Sequence, residues 1–320
     1  MRQSINQFFV GIDMKAARVH RFGPPDVIVI DEIPRPTPGD GEVLVRVAAS
    51  GVGPWDAIIR EGKSKVSPPP PLTLGSDLSG VVEAVGAGAH GFSKGAEVYG
   101  VTNPQFCGAN AEYALARAAM ITHKPQLLNH TESSSVPVVA VTAWQMLFEY
   151  ANAVASERVL ILGAAGNVGA YAVQLAAGAG MHVIPVAHSR DAEYLHSLGA
   201  EVCLDSQATQ FEAALPPVDA VIDLVGGTTL RRSLRSLKRG GIVVSVVSAQ
   251  PLPESPDYRS AFFYAEVTAA RLDSISSFFA RGKLRVNVGT VLPLERIREA
   301  HLMLAGAPHN RGKIVLTLAG

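Results

Sequence analysis

The sequence has very little cysteine and no net charge, and we expect no secretory leader. The 320 residues include only Cys107 and Cys203, so neither a disulfide framework nor a cysteine-rich zinc lobe is available. Lysine and arginine number 28 and so do aspartate and glutamate, which argues against nucleic acid or an anionic membrane as the main partner. Residues 1–15 show no apolar core followed by a cleavage site, so we expect a cytoplasmic protein.

The most informative segment of the chain is Arg158–Gly180. The run Val159–Leu162 is apolar without alternation, as in a parallel strand that is covered on both faces. Three glycines then follow at intervals of three, and the apolar residues after them recur at helical spacing. Glycine permits a sharp turn and a close approach to phosphate, and a helix N-terminus attracts anions. The segment predicts a dinucleotide site at Gly163, Ala164, Ala165, Gly166, Asn167, Val168 and Gly169.

Two other interpretations of this segment stay open at the level of sequence. Residues 159–181 carry no charged side chain, as expected of a membrane-spanning helix. The glycines can also form a turn that binds no nucleotide.

The pattern of elements divides the chain into three parts. Residues 1–130 contain short strands with frequent glycines, which suggests a small barrel-like domain. Residues 131–267 alternate strand and helix, which predicts a doubly wound parallel sheet, and residues 268–320 return to a different pattern. We therefore expect a cofactor domain inserted between two parts of one catalytic domain. Inside the sheet we expect strand pairing to end or open near Pro185, and the pair Gly240 and Gly241 to separate a helix from a strand.

Several segments carry, in order, a family resemblance: Gly51–Asp56, Gly75–Gly86, Ala111–Ala114, Val141–Trp144, Gly163–Gly169, Asp223–Gly227 and Arg311–Leu316. From Met14 onward the chain resembles the zinc-free quinone oxidoreductase (zeta-crystallin-like) branch of the medium-chain dehydrogenase/reductase superfamily. The resemblance implies an α/β fold in which a Rossmann doubly wound parallel sheet is inserted into a GroES-like β-rich catalytic domain. It also implies NADPH as cofactor and a homodimer. Relatives begin near Met14, so Met1–Asp13 is expected to be a disordered extension or a misassigned start.

In such dimers a strand near the end of the Rossmann sheet commonly pairs across the two-fold axis. The candidate here is Phe262–Val267, which is apolar enough to be an aggregation risk as an exposed edge.

Zinc ligands are missing at the positions where the resemblance would place them. Zinc alcohol dehydrogenases of this superfamily have Cys where Gly53 stands, and His followed by Glu where Ser76 and Asp77 stand. Without thiolate or imidazole no zinc site forms there, so we predict a metal-free enzyme. The nine histidines show no metal-ligand spacing and no paired acid, and are interpreted as surface or packing residues.

Cofactor preference is read from the end of the second Rossmann strand. NAD sites usually have an acid there, whereas this chain has Ser189 and Arg190 and no acid before Asp191. A 2′-phosphate would bind a hydroxyl and a guanidinium, so we predict NADPH; the alternative is that Arg190 is a solvated residue at a helix start. The resemblance adds further cofactor contacts at Thr142, Ser206, Val225, Gly226, Val246, Ser248 and Arg311.

The group that donates a proton is the weakest part of the site. Relatives have Asn where Gly53 stands and often Tyr where Ile58 stands, so the candidates here are Asp56, Tyr99, Asn103 and Tyr113. We select Asp56 and Tyr113. Asp56 can instead cap a short helix, and Tyr113 can instead pack at a domain seam. Trp55 either walls the substrate pocket or fills the core.

Three functions remain in competition. The first is a zinc-independent, NADPH-dependent oxidoreductase that transfers hydride to quinones or α,β-unsaturated carbonyls. The second is an NADPH-binding sensor or interaction protein with little turnover, which the departures at Gly53 and Ile58 motivate. The third is a zinc alcohol dehydrogenase, which would require bound metal.

Overall fold

The computed structural model describes residues 13–208, 211–247, 252 and 254–318. The strands are β1 (Asp13–Val19), β2 (Ile28–Pro34), β3 (Glu42–Val52), β4 (Leu72–Thr73), β5 (Asp77–Val85), β6 (Glu97–Val101), β7 (Tyr113–Arg117), β8 (Ile121–His123), β9 (Arg158–Leu162), β10 (His182–Ala187), β11 (Leu204–Asp205), β12 (Val218–Asp223), β13 (Leu237–Ser245), β14 (Arg259–Phe262), β15 (Val288–Pro293) and β16 (Lys313–Thr317). The α-helices are α1 (Pro54–Arg60), α2 (His130–Ser134), α3 (Pro137–Trp144), α4 (Asn167–Gly178), α5 (Ala192–Ser197), α6 (Gly227–Ser233), α7 (Ala269–Ala280) and α8 (Ile297–Leu304).

The middle of the chain folds into a doubly wound parallel sheet. Its order is β11-β10-β9-β12-β13-β14, and every neighbouring pair is parallel. Alternate residues of β9 enter different hydrophobic clusters, Val159 and Ile161 on one face and Leu160 and Leu162 on the other. Both faces are therefore covered, as the unalternating apolar run predicts. The strand order reverses between β9 and β12, which creates a crevice at the carboxyl ends of these two strands.

Both ends of the chain contribute to one β-rich part. A seven-stranded sheet has the order β15-β16-β3-β5-β6-β8, with β7 also paired to β3, and a three-stranded sheet has the order β2-β1-β4. The C-terminal strand β16 pairs antiparallel with β3, with Val315 opposite Gly51. The parallel sheet is thus inserted between two parts of one β-rich unit, which confirms the predicted fold class.

Pairing at Pro185 differs on the two sides of β10: the expected opening is present towards β11 but not towards β9. Pro185 lies opposite Ile161, and Val186 opposite Leu162, so the ladder with β9 continues past the proline. The Val186 carbonyl accepts from Gly163 N at 3.1 Å and so faces β9, which turns Pro185 towards β11. Pairing with β11 starts only at Val186, so no donor is required from the proline.

One further expectation about this sheet is wrong. Gly240 and Gly241 lie inside β13 and do not separate it from a helix; the register with β12 shifts between Val218 and Ala220, and the glycines take up the extra length as a bulge. The candidate pairing strand Phe262–Val267 starts at the last residue of β14 and is irregular beyond it in the single chain. Phe263 is buried and stacks on the Tyr150 ring at 4.2 Å between centroids, whereas Phe262 and Tyr264 are exposed. Pairing of this segment across a two-fold axis stays a prediction.

Helix α7 packs between the parallel sheet and the β-rich part. Its buried residues Leu272, Ile275 and Phe279 share one cluster with residues of β9 and of β6. The domain boundary that the sequence interpretation set after residue 267 stays a prediction.

Two further expectations concern the start of the chain and the uncharged run 159–181. Strand β1 begins at Asp13, and the expectation for residues 1–12 lies outside the described residues. Residues 159–181 form a strand, a turn and a helix, and within the described ranges no helix is long and apolar enough to cross a membrane.

Candidate active site

The glycine turn after β9 forms a cradle at the crevice. A Cβ on Gly163, whose φ is +74°, would lie 2.8 Å from Val225 Cγ2, and a Cβ on Gly169 would lie 2.4 Å from Gly163 O. Only glycine fits either position, because backbone and a neighbouring loop occupy the space. The N-cap of α4 is Gly166, so no side chain occupies the end of the helix. Compact turn and uncapped helix end together fit a pyrophosphate.

Asp223 fixes the neighbouring loop after β12. Its Oδ1 accepts from Val225 N at 3.1 Å and from Gly226 N at 2.7 Å, and Ser245 Oγ donates to its Oδ2 at 2.7 Å. The carboxylate is fully buried and sets Val225 against Gly163. Sequence reasoning placed Val225 and Gly226 at the cofactor but missed Asp223. The sequence signal that could have identified Asp223 is a lone acid at the end of a buried strand.

The end of β10 carries the residues predicted to read the ribose. Ser189 is exposed, and so is 77% of the Arg190 side chain. Ser206 N donates to Ala187 O at 2.8 Å, which brings Ser206 to the same edge. Arg311 reaches this edge from the C-terminal part of the chain and donates to Asp191. The structure thus brings Ser189, Arg190, Ser206 and Arg311 together.

The remaining predicted cofactor residues are Thr142, Val246 and Ser248. The Thr142 hydroxyl donates to Val138 O at 2.7 Å inside α3. Val246 N donates to Asp223 O at 3.4 Å, which places it beside the loop that Asp223 organises. Ser248 lies outside the described residues.

A second group of buried polar side chains lies where the β-rich part meets α3. Lys313 Nζ is 3.0 Å from Asp77 Oδ2 and 4.0 Å from the centroid of the Trp55 ring. Asp77 Oδ1 accepts from Val138 N at 3.2 Å and so joins β5 to the first turn of α3. Burial raises the pKa of the Asp77 carboxyl, and the Lys313 ammonium opposes that shift. The lysine and the aspartate are almost completely buried, so each requires the other.

Asp56 is at the third position of α1 and is fully buried. Its Oδ2 accepts from Gly53 N at 2.7 Å, so the capping role that the sequence left open is present in the structure. Oδ1 has no hydrogen-bond partner among the described residues. Burial raises the pKa of this carboxyl to about 7, although the Gly53 N–H favours the ionised form.

An indole ring fills the space between Gly53 and Ser76, two of the positions that lack a zinc ligand. A Cβ on Gly53 would lie 2.3 Å from Trp55 Cη2, and Trp55 Nε1 donates to Ser76 Oγ at 2.9 Å. Gly53 and Ser76 offer neither thiolate nor imidazole, and no three His, Cys, Asp or Glu side chains of the described residues group as metal ligands. The residues present do not fit zinc.

The other proton-donor candidates lie apart from this group. The Tyr99 hydroxyl bonds to Leu272 O at 3.0 Å and to Ser276 Oγ at 2.8 Å, and burial raises its pKa. Tyr99 thereby fastens β6 to α7. The Asn103 amide donates to Cys107 O at 2.8 Å and shapes its own loop.

Tyr113 lies on β7 under the Arg35 guanidinium, which is 3.8 Å from the ring centroid. It packs against a small cluster of Met14, Ala16 and Ala111, as the packing alternative describes. The structure does not bring it to Asp56.

The interpretation of the histidines needs one correction. Two of them have an acidic partner: His20 Nε2 is 2.7 Å from Asp31, and His130 Nε2 is 3.2 Å from Glu97. Sequence spacing could not show these pairs because cross-strand and turn contacts form them.

A Rossmann-type sheet, inserted into a GroES-like β-rich part and carrying a glycine cradle at its crevice, is the architecture of medium-chain dehydrogenases and reductases. A family model described as an alcohol dehydrogenase GroES-like domain matches residues 39–126, and one described as a zinc-binding dehydrogenase matches residues 198–316. The chain is 30% identical to a quinone oxidoreductase from Pongo abelii, over 95% of this chain and 98% of that protein. The chain belongs to the quinone oxidoreductase branch of the medium-chain dehydrogenase/reductase superfamily.

Two other similarities agree with this membership. A quinone oxidoreductase structure from Coxiella burnetii superposes with a TM-score of 0.85 at 30% identity, covering 96% of this chain and all of the other. The mitochondrial NAD(P)H oxidoreductase RTN4IP1 from Bos taurus is 29% identical over 87% of this chain and 82% of that protein.

Proposed function

We propose that this protein is a zinc-independent, NADPH-dependent oxidoreductase that transfers hydride to quinones or α,β-unsaturated carbonyls. The observation that carries the proposal is the glycine cradle, which is held against the loop of Asp223 and lies one strand away from the exposed Ser189 and Arg190. The printed names of the relatives, quinone oxidoreductase and NAD(P)H oxidoreductase, support the same reaction class.

Each part of the site has a task in this proposal. The nicotinamide, when bound, supplies the hydride. The turn from Gly163 to Gly169 binds the pyrophosphate, and Ser189 with Arg190 binds the 2′-phosphate. Trp55 and Phe106 are half-buried and pack against both hydrophobic cores, so they wall the seam between the two parts and exclude water from it.

The reaction also needs a proton, and we assign its supply to Asp56. Its buried carboxyl is divided between protonated and ionised forms near neutral pH because burial raises its pKa to about 7. The unpartnered Oδ1 is the atom that would hold the proton. Tyr113 keeps no role here because its ring is covered by Arg35.

Zinc independence rests on the Trp55 indole, which fills the volume between Gly53 and Ser76. Purified protein is expected to contain no stoichiometric zinc by elemental analysis and to keep its activity in EDTA. One zinc per chain, with activity lost on chelation, would establish the zinc alcohol dehydrogenase instead.

The direct test is NADPH consumption with 1,4-benzoquinone, 9,10-phenanthrenequinone and a short enone, with NADH measured alongside. We expect turnover that requires NADPH. Turnover with NADH alone would contradict the proposed cofactor, and absence of turnover with every acceptor would contradict the proposed reaction.

A sensor or interaction protein is the second candidate. It is favoured by Gly53 and by the exposed Ile58, which replace the Asn and Tyr of relatives. Tight NADPH binding, measured by cofactor fluorescence, without oxidation by any acceptor would establish this function.

A homodimer is part of the proposal. Phe262 and Tyr264 are exposed side by side, Tyr264 by 73%, at the free edge of β14. Exposed aromatic residues beside an unpaired edge favour pairing with a second copy. Light scattering after size exclusion is expected to give twice the chain mass, and Tyr264→Glu is expected to give the monomer. A monomeric wild-type protein would contradict the dimer.

A further inference from the structure

We propose that Arg311 sets the cofactor preference by masking the carboxylate of Asp191 rather than by binding the cofactor itself. This inference rests on the proposed NADPH-dependent function, and it names the pair of residues that would decide between NADPH and NADH. Neither the comparisons nor the sequence patterns point to such a pair.

Asp191 stands where an acid would select the wrong cofactor. It ends the short 3-10 turn Ser189–Asp191 that follows β10, at the edge where Rossmann proteins recognise the ribose. A free carboxylate there would accept a bond from a 2′-hydroxyl and repel a 2′-phosphate. In this structure only 13% of the Asp191 side chain is exposed, because the Arg311 guanidinium covers it.

Arg311 comes from the C-terminal part of the chain and is held by contacts with Asp191 and Tyr194. It lies in the loop between α8 and β16, 120 residues from Asp191. Its guanidinium stacks over the Tyr194 ring at 4.6 Å from the centroid, and the Asn287 amide donates to the Tyr194 hydroxyl at 3.1 Å. Among the described residues, Asp191 is its only ionic partner.

The charges around Asp191 are balanced only while Arg311 is in place. Arg190 Nε lies 4.0 Å from the same carboxylate, so two guanidinium groups flank Asp191 beside Ser189. A second acid, Asp205, is nearby and together with Asp191 raises the pKa of the Cys203 thiol beyond the effect of burial. Removing Arg311 would therefore leave two carboxylates at this edge with Arg190 alone to balance them, which disfavours a 2′-phosphate.

The test is a double-mutant cycle read by cofactor binding. Dissociation constants for NADPH and NADH are measured by cofactor fluorescence, and that for 2′,5′-ADP by displacement, on wild type, Arg311→Met, Asp191→Asn and the double variant. We expect R311M to weaken NADPH and 2′,5′-ADP binding by about tenfold, a free-energy change of about 1.4 kcal/mol. NADH binding is expected to tighten, because the freed carboxylate can accept a bond from the 2′-hydroxyl. We expect the double variant to recover most of the NADPH affinity, because no carboxylate remains to be masked.

Two further variants keep the test independent of folding. Arg311→Lys keeps a cation beside Asp191 and is expected to keep the NADPH preference. Arg239→Met removes a guanidinium that is 89% exposed at the opposite end of β13, and is expected to change neither dissociation constant. Melting temperatures of all variants report on folding.

Three outcomes would contradict the proposal, and each of them contradicts a different part of it. If the double variant binds NADPH as weakly as R311M does, Arg311 contacts the cofactor directly and masking is wrong. If R311M leaves the ratio of the two dissociation constants unchanged, Arg311 has no part in the preference. A wild-type protein that binds NADH as tightly as NADPH would overturn the proposed cofactor, and the masking with it.

Discussion

The loop that closes the cofactor cradle depends on one buried carboxylate, that of Asp223. Its two oxygens take three hydrogen bonds, two from backbone N–H groups and one from the Ser245 hydroxyl. Replacing Asp223 by Ala removes every acceptor at once and leaves the buried Gly226 N–H and the partly buried Val225 N–H without their acceptor. Asp223→Asn is the matched control, because its Oδ1 still accepts both N–H groups and the Ser245 hydroxyl can rotate to accept from Nδ2.

The magnitude follows from the number of donors that lose their acceptor. An unsatisfied buried donor costs about 1–3 kcal/mol, and the loop relaxes partly, so we expect D223A to lower the free energy of unfolding by about 3 kcal/mol. D223N replaces charged acceptors by neutral ones and is expected to cost about 1 kcal/mol. Displacement of Val225 from Gly163 is expected to weaken NADPH binding by about tenfold in D223A.

Urea unfolding gives the first two values and cofactor fluorescence gives the third. A D223A protein that stays within about 1 kcal/mol of wild type would refute the reasoning, because water or another residue would then satisfy the loop. An equal loss in D223N would show that charge, and not the acceptor geometry, holds the loop.

Two other predictions concern the cradle and α1. Gly169→Ala forces a Cβ to 2.4 Å from Gly163 O, so we expect the free energy of unfolding to fall by about 2 kcal/mol or more and NADPH binding to weaken. The matched control is Gly178→Ala, whose Cβ would meet nothing closer than 3.7 Å. That variant is expected to raise the free energy of unfolding by up to about 1 kcal/mol. Equal stabilities of the two variants in urea would contradict the close approach of turn and helix. Asp56 has a pKa raised from 3.8 to about 7 on folding, so its contribution to stability is full below pH 3.8 and declines until about pH 7. Asp56→Asn is therefore expected to flatten this decline and to gain stability over wild type at pH 8 relative to pH 4; an unchanged pH profile would show that the carboxyl stays ionised.

Local spacing was sufficient to predict the cradle and the inserted arrangement. Strand, glycine turn and helix are adjacent in sequence, so the residues that meet their steric requirements are close together in the chain. The change from short β segments to strand and helix alternation, and back again, likewise predicted that one domain interrupts another. Asp56 was recognised as a cap because a capping residue lies within three positions of the backbone it serves.

Other features depended on contacts that no local pattern contains. The apolar run Phe262–Val267 did not show which of its side chains are buried; packing against Tyr150 buries Phe263 and leaves Phe262 and Tyr264 exposed. The acid partners of His20 and His130 were missed for the same reason.

The sequence by itself determined the class of fold, the position of the dinucleotide cradle and the absence of zinc ligands at Gly53 and Ser76, because each of these depends on residue types within short segments. Only the tertiary structure decided that the Trp55 indole packs between Gly53 and Ser76, that Lys313 is buried against Asp77, and that Arg311 covers Asp191. These contacts join residues far apart in the chain, and their energies arise from burial and charge pairing that exist only after the two parts have packed together.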